Sequence, residues 1–357
     1  MQKIIGAGIA GLSAAIILAK GGERASVFEK NRAIGLNTGE NIQAIRNYGP
    51  DYGQLQKFRK EGLDLNYTKP IYKITKYSPS GRKMEINSKE PLFYIFRRGE
   101  ALTSFDSQLF EQAEDEGVKF QFKENKNLKN AEIVSSSSIF RNIAYYGVHF
   151  KDVTVQKDTI LFFLNNEFAP HGYLGLIPYG KHEASIGEVS FNLNANLPLL
   201  FERFLKENMI ISKIIENSSS ADKFGGFTYA NVPKTAEINK IKFIGSAAGF
   251  VDAARGFGVN YCLESAIAAA QSIINKTNYD TIWKGAIESE LLAALKRRII
   301  YEHMADEDFE KLIFSDKIDV SEYNKIPITL DQLVSKLKIR LEIDNWRKKY
   351  SLKKLFY

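Results

Sequence analysis

The sequence predicts an α/β fold: a Rossmann-like nucleotide-binding domain with an inserted antiparallel or mixed β-sheet domain and a C-terminal helical region. Three observations predict it. An apolar strand, a glycine-rich turn and a helix open the chain. A second strand, glycine turn and helix follow only after residue 240. The stretch between them is rich in β-branched and aromatic residues at partly alternating spacing. Recurrence of α/β material on both sides of a β-rich region indicates one discontinuous domain with a second threaded through it. The expected boundaries are 1–68, 98–147 and 236–276 for the nucleotide-binding domain, 69–97 and 148–235 for the inserted domain, and 277–357 for the helical region.

In chain order, Gln2–Ile5 reads as a strand, Gly6–Gly11 as a turn, Leu12–Lys20 as a helix and Ala25–Lys30 as a second strand. Helical spacing returns over Ala101–Glu116, followed by a strand-like Val118–Phe122. Further strands are expected at Ile71–Ser78, Arg82–Asn87, Leu92–Phe96, Val148–Val155, Thr159–Asn165 and Glu183–Phe191, with Pro79-Ser80-Gly81 as turn residues. A helix is expected at Leu197–Asn208. Lys242–Ile244 then leads through a glycine-rich turn into the alanine-rich helix Gly258–Lys276. From Tyr279 onward the pattern is mostly helical, with a break near Pro327.

Composition narrows the function classes. With 357 residues, 44% hydrophobic and 25% charged, the chain is ordinary globular material. Its single cysteine, Cys262, excludes a disulfide framework and any multi-cysteine metal site, and His149, His171, His182 and His303 lack metal-ligand spacing. No metal is expected, and a reducing, cytoplasmic compartment fits. The apolar stretch Ile4–Ala19 has no basic leader and is too short to span a bilayer. The formal charge of +7 is concentrated at the end: residues 336–357 carry eight basic and two acidic side chains. The remainder is nearly neutral, so nucleic acid is not an expected partner.

The first motif is Gly6-Ala7-Gly8-Ile9-Ala10-Gly11, a G-x-G-x-x-G placed between an apolar strand and a helix. Gly6 permits the tight turn, Gly8 lets the backbone approach a pyrophosphate, and Gly11 lets the helix pack closely on the sheet. The first turn of the helix, at Ile9 and Ala10, offers N–H donors and positive partial charge to the phosphates. The second strand ends in Glu29-Lys30, with Glu29 eighteen residues beyond Gly11. A carboxylate there can accept hydrogen bonds from both ribose hydroxyls and would repel a 2′-phosphate. The cradle therefore suits FAD or NAD.

The second motif runs Gly245-Ser246-Ala247-Ala248-Gly249-Phe250 and, after a spacer, Gly256-Phe257-Gly258-Val259-Asn260. Small residues allow backbone to lie against an extended ligand, and the glycines at the helix start leave amides free to face a partly negative group. This segment resembles the second FAD motif of the geranylgeranyl reductase family, within the p-hydroxybenzoate hydroxylase-like flavoproteins. Arg97-Arg98-Gly99 followed by Phe105-Asp106 resembles that family's arginine-plus-F-D segment, which implies that Arg98 helps hold FAD. Pro170-His171-Gly172-Tyr173-Leu174-Gly175-Leu176-Ile177-Pro178 resembles its P-x-G-Y-x-W-x-F-P substrate signature, matched at Pro170, Gly172, Tyr173 and Pro178. Together the matches span about residues 1–275.

The chain also departs from the pattern. Ser246 replaces an aspartate that usually holds a ribityl hydroxyl, which removes a charge-assisted bond. Gly175 stands where the signature has tryptophan. The stretch Gly35–Glu40 lacks the cysteine that some relatives carry, and Cys262 reads as a small core residue.

The resemblance implies an FAD-dependent oxidoreductase that transfers hydride from reduced flavin N5 to a C=C bond of a geranylgeranyl-type polyprenyl lipid. Tyr173 is the candidate proton donor or orienting residue. With only one G-x-G-x-x-G, electrons are expected from an external donor, NAD(P)H or ferredoxin. Leu333, Leu337, Ile339, Leu341, Ile343, Trp346 and Tyr350 recur at helical spacing among the basic residues of the tail, which suits peripheral attachment to an anionic membrane. The competing reading packs that stripe onto the protein body. Two alternatives to the reductase stand beside it: a flavin-dependent monooxygenase acting on an apolar substrate, and a non-catalytic FAD- or lipid-binding paralogue.

Overall fold

The computed structural model describes residues 1–36, 41–48, 53–124, 128–135, 139–312, 317–319 and 336–356. The opening strand β1 (Gln2–Ile5) lies inside a six-stranded sheet. Parallel neighbours are β2 (Ala25–Glu29) on one side and β9 (Ile133–Val134) on the other. Beyond β2 comes β8 (Lys119–Phe122), and beyond β9 come β16 (Ile241–Phe243) and β15 (Glu237–Ile238). The β15–β16 hairpin turns through Asn239 and Lys240, both with positive φ, as the tightest hairpin loops require.

Helix α1 (Ile9–Lys20) is buried from Ile9 to Leu18 on every face, because it lies under a parallel sheet and against a second helix. That second helix, here α6 (Val259–Ile274), follows β16 just as α1 follows β1. The two strand–turn–helix units of the sequence are thus side by side, although more than 200 residues separate them. Helix α3 (Phe105–Asp115) packs against α1 as well. Its Ser104 N-cap accepts a bond from the Ser107 amide, so the helix begins at Phe105 and the expected first turn at Ala101 is a loop.

An eight-stranded sheet forms the second layer. Its order is β14 (Ser219–Thr228), β10 (Ile143–Lys151), β13 (Glu183–Ser190), β12 (Tyr173–Pro178), β11 (Thr159–Phe163), β5 (Lys73–Tyr77), β6 (Lys83–Asn87) and β17 (Lys317–Asp319). A third, three-stranded sheet holds β3 (Ile42–Arg46), β7 (Phe93–Arg97) and β4 (Lys69–Ile71). Three expectations change. The strand expected at Val148–Val155 runs from Ile143, where its pairing with β14 begins, to Lys151, and pairs with β13 from Ala144. The stretch Ile71–Ser78 divides at Tyr72 into strands of different sheets. The polar run at Ser218–Ser220 opens an edge strand, half exposed, which has no apolar alternation to reveal it.

Helices α4 (Leu197–Glu207) and α5 (Met209–Ile215) cover one face of the large sheet, burying Phe201, Phe204 and Ile211. After α6 come α7 (Tyr279–Trp283), a π-helical segment Lys284–Glu288, α8 (Ser289–Tyr301) and α9 (Asp306–Leu312). Helix α2 (Gln54–Lys60) lies between β3 and β4 in the chain. In the C-terminal helix Lys336–Lys349, Ile339 is buried, and Ile343 and Trp346 pack on the core with Tyr350 just beyond. The Trp346 indole donates to the Ala230 carbonyl at 3.0 Å and Arg347 donates to that of Val232 at 2.8 Å. The tail's stripe is therefore seated on the protein body, leaving Leu341 exposed. The break expected near Pro327, Leu333 and the stretch Asn37–Glu40 lie outside the described residues. Among the described residues no helix is long and apolar enough to cross a membrane.

Candidate functional site

At the first turn, Gly6 has φ 99°, a left-handed value that disfavours a side chain. Its amide donates to the Phe28 carbonyl at 2.8 Å, which continues the β1–β2 ladder into the turn. A Cβ on Gly11 would stand 2.0 Å from the Gly6 oxygen and 2.5 Å from Ser135 Oγ, so helix and strand touch at a point only glycine allows. Ser135 supports this contact by donating its hydroxyl to the Gly6 carbonyl at 2.8 Å. Nothing in the sequence flags Ser135, which reaches the turn across 129 residues of chain. Gly8 is different. It is partly exposed, caps α1 in an extended conformation, and a Cβ there would meet no protein atom within 4 Å. Open space lies in front of it, beside the α1 N-terminus, while Ile9 and Ala10 behind it are buried.

Glu29 closes the turn from the second strand. Its Oε2 accepts from the Ala7 amide at 2.9 Å, and its Oε1 accepts from the Asn31 amide and side chain at 2.9 and 2.7 Å. A carboxylate has about four lone-pair sites, so capacity remains for a hydroxyl partner. Lys30 is exposed beside it.

The second motif abuts the first. Gly245 has φ 52°, and a Cβ on it would lie 2.9 Å from the Ala10 Cβ and 3.0 Å from Cys262 Sγ. Gly245 and Ser246 open a short 3₁₀ turn, with Ser246 partly exposed. Gly249, with φ 76°, is packed against Tyr229 and Asn231. Cys262 packs against Gly245 of the second turn, and burial pushes its thiol up to about 11, as befits a packing residue.

Asp252, which sequence reasoning passed over, shapes the loop that follows. Its carboxylate accepts from the amides of Ala254 and Arg255, both at 2.9 Å, and its own backbone pairs with Gly256 and Phe257 at 2.8 Å. An aspartate three residues before the arginine was the available signal for an Asx turn. The loop Arg255–Gly258 is half-exposed between buried flanks, and α6 starts with its Gly258 cap and the buried Val259. The Phe257 ring rests 5.6 Å from that of Phe93. The Asn260 side chain is committed to Arg46 of β3, accepting from its amide and donating to its carbonyl at 2.9 Å each, so its amide group faces the protein.

Arg98 is likewise bound internally. Its guanidinium makes a two-pronged pair with Asp106, 2.7 Å in each arm, and donates to Gln43 at 2.6 Å. Burial disfavours the charge, but Asp106 more than offsets it and the group is held above its ordinary value. These bonds use three of its five N–H groups. Its neighbour Arg97 pairs with Glu183 at 2.8 Å and lies over the Tyr179 ring.

The third motif occupies β12 and the turn before it. Gly172 cannot carry a side chain, because a Cβ would fall 1.8 Å from the Val189 carbonyl oxygen. The Pro170 carbonyl accepts from Ser190 at 2.8 Å. Tyr173 reaches out of the sheet and donates its hydroxyl to the Arg255 carbonyl, at the edge of the second-motif loop. Burial raises the pKa of its phenol well above the ordinary tyrosine value. Gly175 and Pro178 are buried in the strand. So the signature strand meets the Arg255–Gly258 loop through Tyr173, and the second glycine turn meets the first through Gly245 and Ala10. Among the described residues no cluster of three or more His, Cys, Asp or Glu could hold a metal.

Comparison with known proteins bears on the fold and the relatives of this chain. Residues 4–54 match the family model of the NAD(P)-binding Rossmann-like domain. The digeranylgeranylglycerophospholipid reductase of Methanocaldococcus jannaschii is 22% identical, over 91% of this chain and 94% of its own length. A geranylgeranyl bacteriochlorophyll reductase-like protein of Thermoplasma acidophilum superposes with a TM-score of 0.73 at 18% identity, covering 96% of this chain and 98% of that one. A halogenase, PltM, solved in complex with FAD, superposes with a TM-score of 0.58 at 14% identity, over 87% of this chain and 82% of its own. The resemblance carried by three short motifs thus extends along nearly the whole chain, which has the fold of FAD-dependent oxidoreductases and is a relative of the digeranylgeranylglycerophospholipid reductases.

Proposed function

We propose that this protein is an FAD-dependent reductase of C=C bonds in a geranylgeranyl-type polyprenyl lipid. The observation that carries the reading is the contact of Gly245 with Ala10 and Cys262, which makes one groove of two turns distant in sequence. An extended dinucleotide fits it. The open space before Gly8 and the α1 N-terminus suit a pyrophosphate, Glu29 suits the ribose, and the half-exposed Gly256-Phe257-Gly258 loop before α6 suits the flavin ring. When bound and reduced, FAD supplies hydride at N5. This chain's residues then bind, orient and exclude water. Tyr173 fixes the loop through the Arg255 carbonyl, and Asp252 holds that loop's amides in one arrangement. The lipid would lie over the signature strand, between Pro170 and Pro178. The division into a three-part FAD domain and a two-part substrate domain belongs to the same proposal, as does an external electron donor. Attachment to an anionic membrane would rest on the tail's cations, since its apolar stripe is already covered.

The test is spectroscopic. The purified protein should show a flavin spectrum that bleaches with dithionite, and a polyprenyl lipid should reoxidise it without oxygen while gaining hydrogen. A colourless protein that takes up no FAD removes the reading. Oxygen-dependent hydroxylation of an apolar compound, with no anaerobic reoxidation by prenyl lipids, replaces it with a monooxygenase.

A further inference from the structure

The signature turn is gripped from outside the sheet that carries it. Some of its bonds are local: the Gly172 amide donates to the Ala169 carbonyl at 2.9 Å, and Ser190 donates to that of Pro170 at 2.8 Å. His171, between these residues, has φ 56°, a left-handed conformation that a residue with a side chain avoids. Its amide donates to Asn166 Oδ1 at 3.0 Å. Asn166 is itself bonded to the corner between α8 and α9, donating from its side chain to the Met304 carbonyl at 3.2 Å and from its amide to Asp306 at 2.9 Å. The His171 carbonyl accepts from Arg298 of α8 at 2.6 Å. The helical region after α6 thus holds this left-handed residue twice, directly through Arg298 and at one remove through Asn166.

Stability alone does not account for Arg298. Its side chain is fully buried and lies 4.1 Å over the Phe191 ring, and Nε and Nη2 have no hydrogen-bond partner among the described residues. Burial lowers its pKa from 12.5 to about 10, although Glu302, 3.5 Å from Nε, pulls the other way. A well-packed apolar side chain of similar volume is often at least as stabilising as a buried charge. Unsatisfied polar groups are retained where they serve something besides stability. What an apolar residue at 298 could not do is donate to the His171 carbonyl.

From that carbonyl the bonds lead to the second-motif loop. Gly172 lies against the Val189 backbone of β13, so the turn has little room to shift without Tyr173. Tyr173 donates to the carbonyl of Arg255, the residue before Gly256-Phe257-Gly258. We propose that Arg298 is a positioning residue for the reaction: by holding the His171 carbonyl it fixes the signature turn, and through Tyr173 it fixes the amides that would face the flavin. The flavin part of this assignment rests on the reductase reading, whereas the link from α8 to the Arg255–Gly258 loop belongs to the protein without ligand. The competing account is an arginine that only packs.

The experiment uses Arg298→Gln and Arg298→Lys, each alone and combined with Tyr173→Phe, with Phe191→Leu as the packing control. In the apoproteins, trypsin cleavage after Arg255 reports opening of the loop. It should quicken about tenfold in Arg298→Gln and in Tyr173→Phe, with no further gain in the double variant. In the FAD-loaded proteins, Arg298→Gln should lower the preference for reduced over oxidised flavin about tenfold, read as a fall of about 30 mV in midpoint potential, again without adding to Tyr173→Phe. Anaerobic reoxidation by a prenyl lipid should slow severalfold at unchanged KM. Arg298→Lys, which keeps a donor, should restore most of each effect, and Phe191→Leu should lower the melting temperature alone. If Arg298→Gln does not fold, Asn166→Ala, which frees the His171 amide, carries the same test. Additive effects in the double variants, or an Arg298→Gln protein that loses only melting temperature, overturn the assignment. If the wild-type protein takes up no FAD, the reductase reading falls, and the trypsin arm still decides the link from α8 to the loop.

Discussion

Gly8 and Gly11 belong to one motif, yet their surroundings predict opposite phenotypes for the same substitution. In Gly11→Ala the new methyl would be 2.0 Å from the Gly6 carbonyl oxygen and 2.5 Å from Ser135 Oγ. The first contact, to backbone, must open by about 1.4 Å and the second by about 0.9 Å to reach ordinary van der Waals distance. Overpacking of this kind costs about 1–3 kcal/mol, and it falls on the protein with or without ligand. In Gly8→Ala the methyl meets no protein atom within 4 Å, and the residue's φ of −86° suits any side chain. The apoprotein should lose about 1 kcal/mol or less, through the poorer helix cap. The methyl does enter the space before the first-turn amides. Losing one charge-assisted bond from pyrophosphate costs about 1.5–3 kcal/mol, or roughly a 10- to 100-fold rise in the FAD dissociation constant. Urea unfolding of the apoproteins and fluorescence titration with FAD separate the two effects. Wild-type FAD affinity in Gly8→Ala would show that the ligand does not lie before this helix. Wild-type stability in Gly11→Ala would refute the packing argument.

Two further expectations follow from single buried groups. Tyr173→Phe removes the donor to the Arg255 carbonyl and should cost about 1–3 kcal/mol in a denaturant series. Anaerobic reoxidation by a prenyl lipid should stay within about tenfold of wild type, and a loss near 10⁴-fold would instead identify the phenol as the proton donor. Glu188, in β13, is buried under α4 with neither carboxylate oxygen hydrogen-bonded among the described residues, and burial pushes its pKa from 4.5 up to about 8. The folded state holds this proton where the unfolded chain has released it, so its stabilising contribution is complete below pH ~4.5 and lost as pH rises through 8. Glu188→Gln should flatten that fall by about 3–5 kcal/mol, measured as the difference between the two proteins' stability profiles from pH 5 to 9. Parallel profiles would mean the carboxyl finds a partner.

What the sequence discloses well is local. The two glycine turns, their helices and the acidic end of the second strand are written in contiguous residues whose roles follow from backbone sterics, and the fold class follows from their recurrence. What it hides is pairing at long range. The edge strand Ser219–Thr228 has no alternation, because an edge with one half in solvent needs none, and its register with β10 is what brings Phe224 over Gly147. Asn260 looked like a cofactor contact by its place in the motif, and its partner at Arg46 is 214 residues away. Arg98 was legible as an arginine before F-D, but its commitment to Asp106 and Gln43 depends on three elements meeting. Ser135 was invisible for the same reason.

The two departures from the family pattern also read differently once neighbours are present. Gly175 stands where the signature has tryptophan. The space above it is not vacant: the Phe162 ring from the adjacent strand lies 3.4 Å from the missing Cβ, and the two residues are directly paired in register. A Cβ at 175 would be in ordinary van der Waals contact with Phe162, so the space a side chain there would enter is bordered by an aromatic ring of the neighbouring strand. Ser246 has no comparable substitute. It sits partly exposed in the Gly245–Ala247 turn, with no acidic side chain bonded to that turn among the described residues. A neutral hydroxyl in place of a carboxylate gives up roughly half the strength of one hydrogen bond. Under the proposed function the two departures therefore bear on different properties: the first on the packing of the signature strand, and the second on how tightly the flavin would be retained.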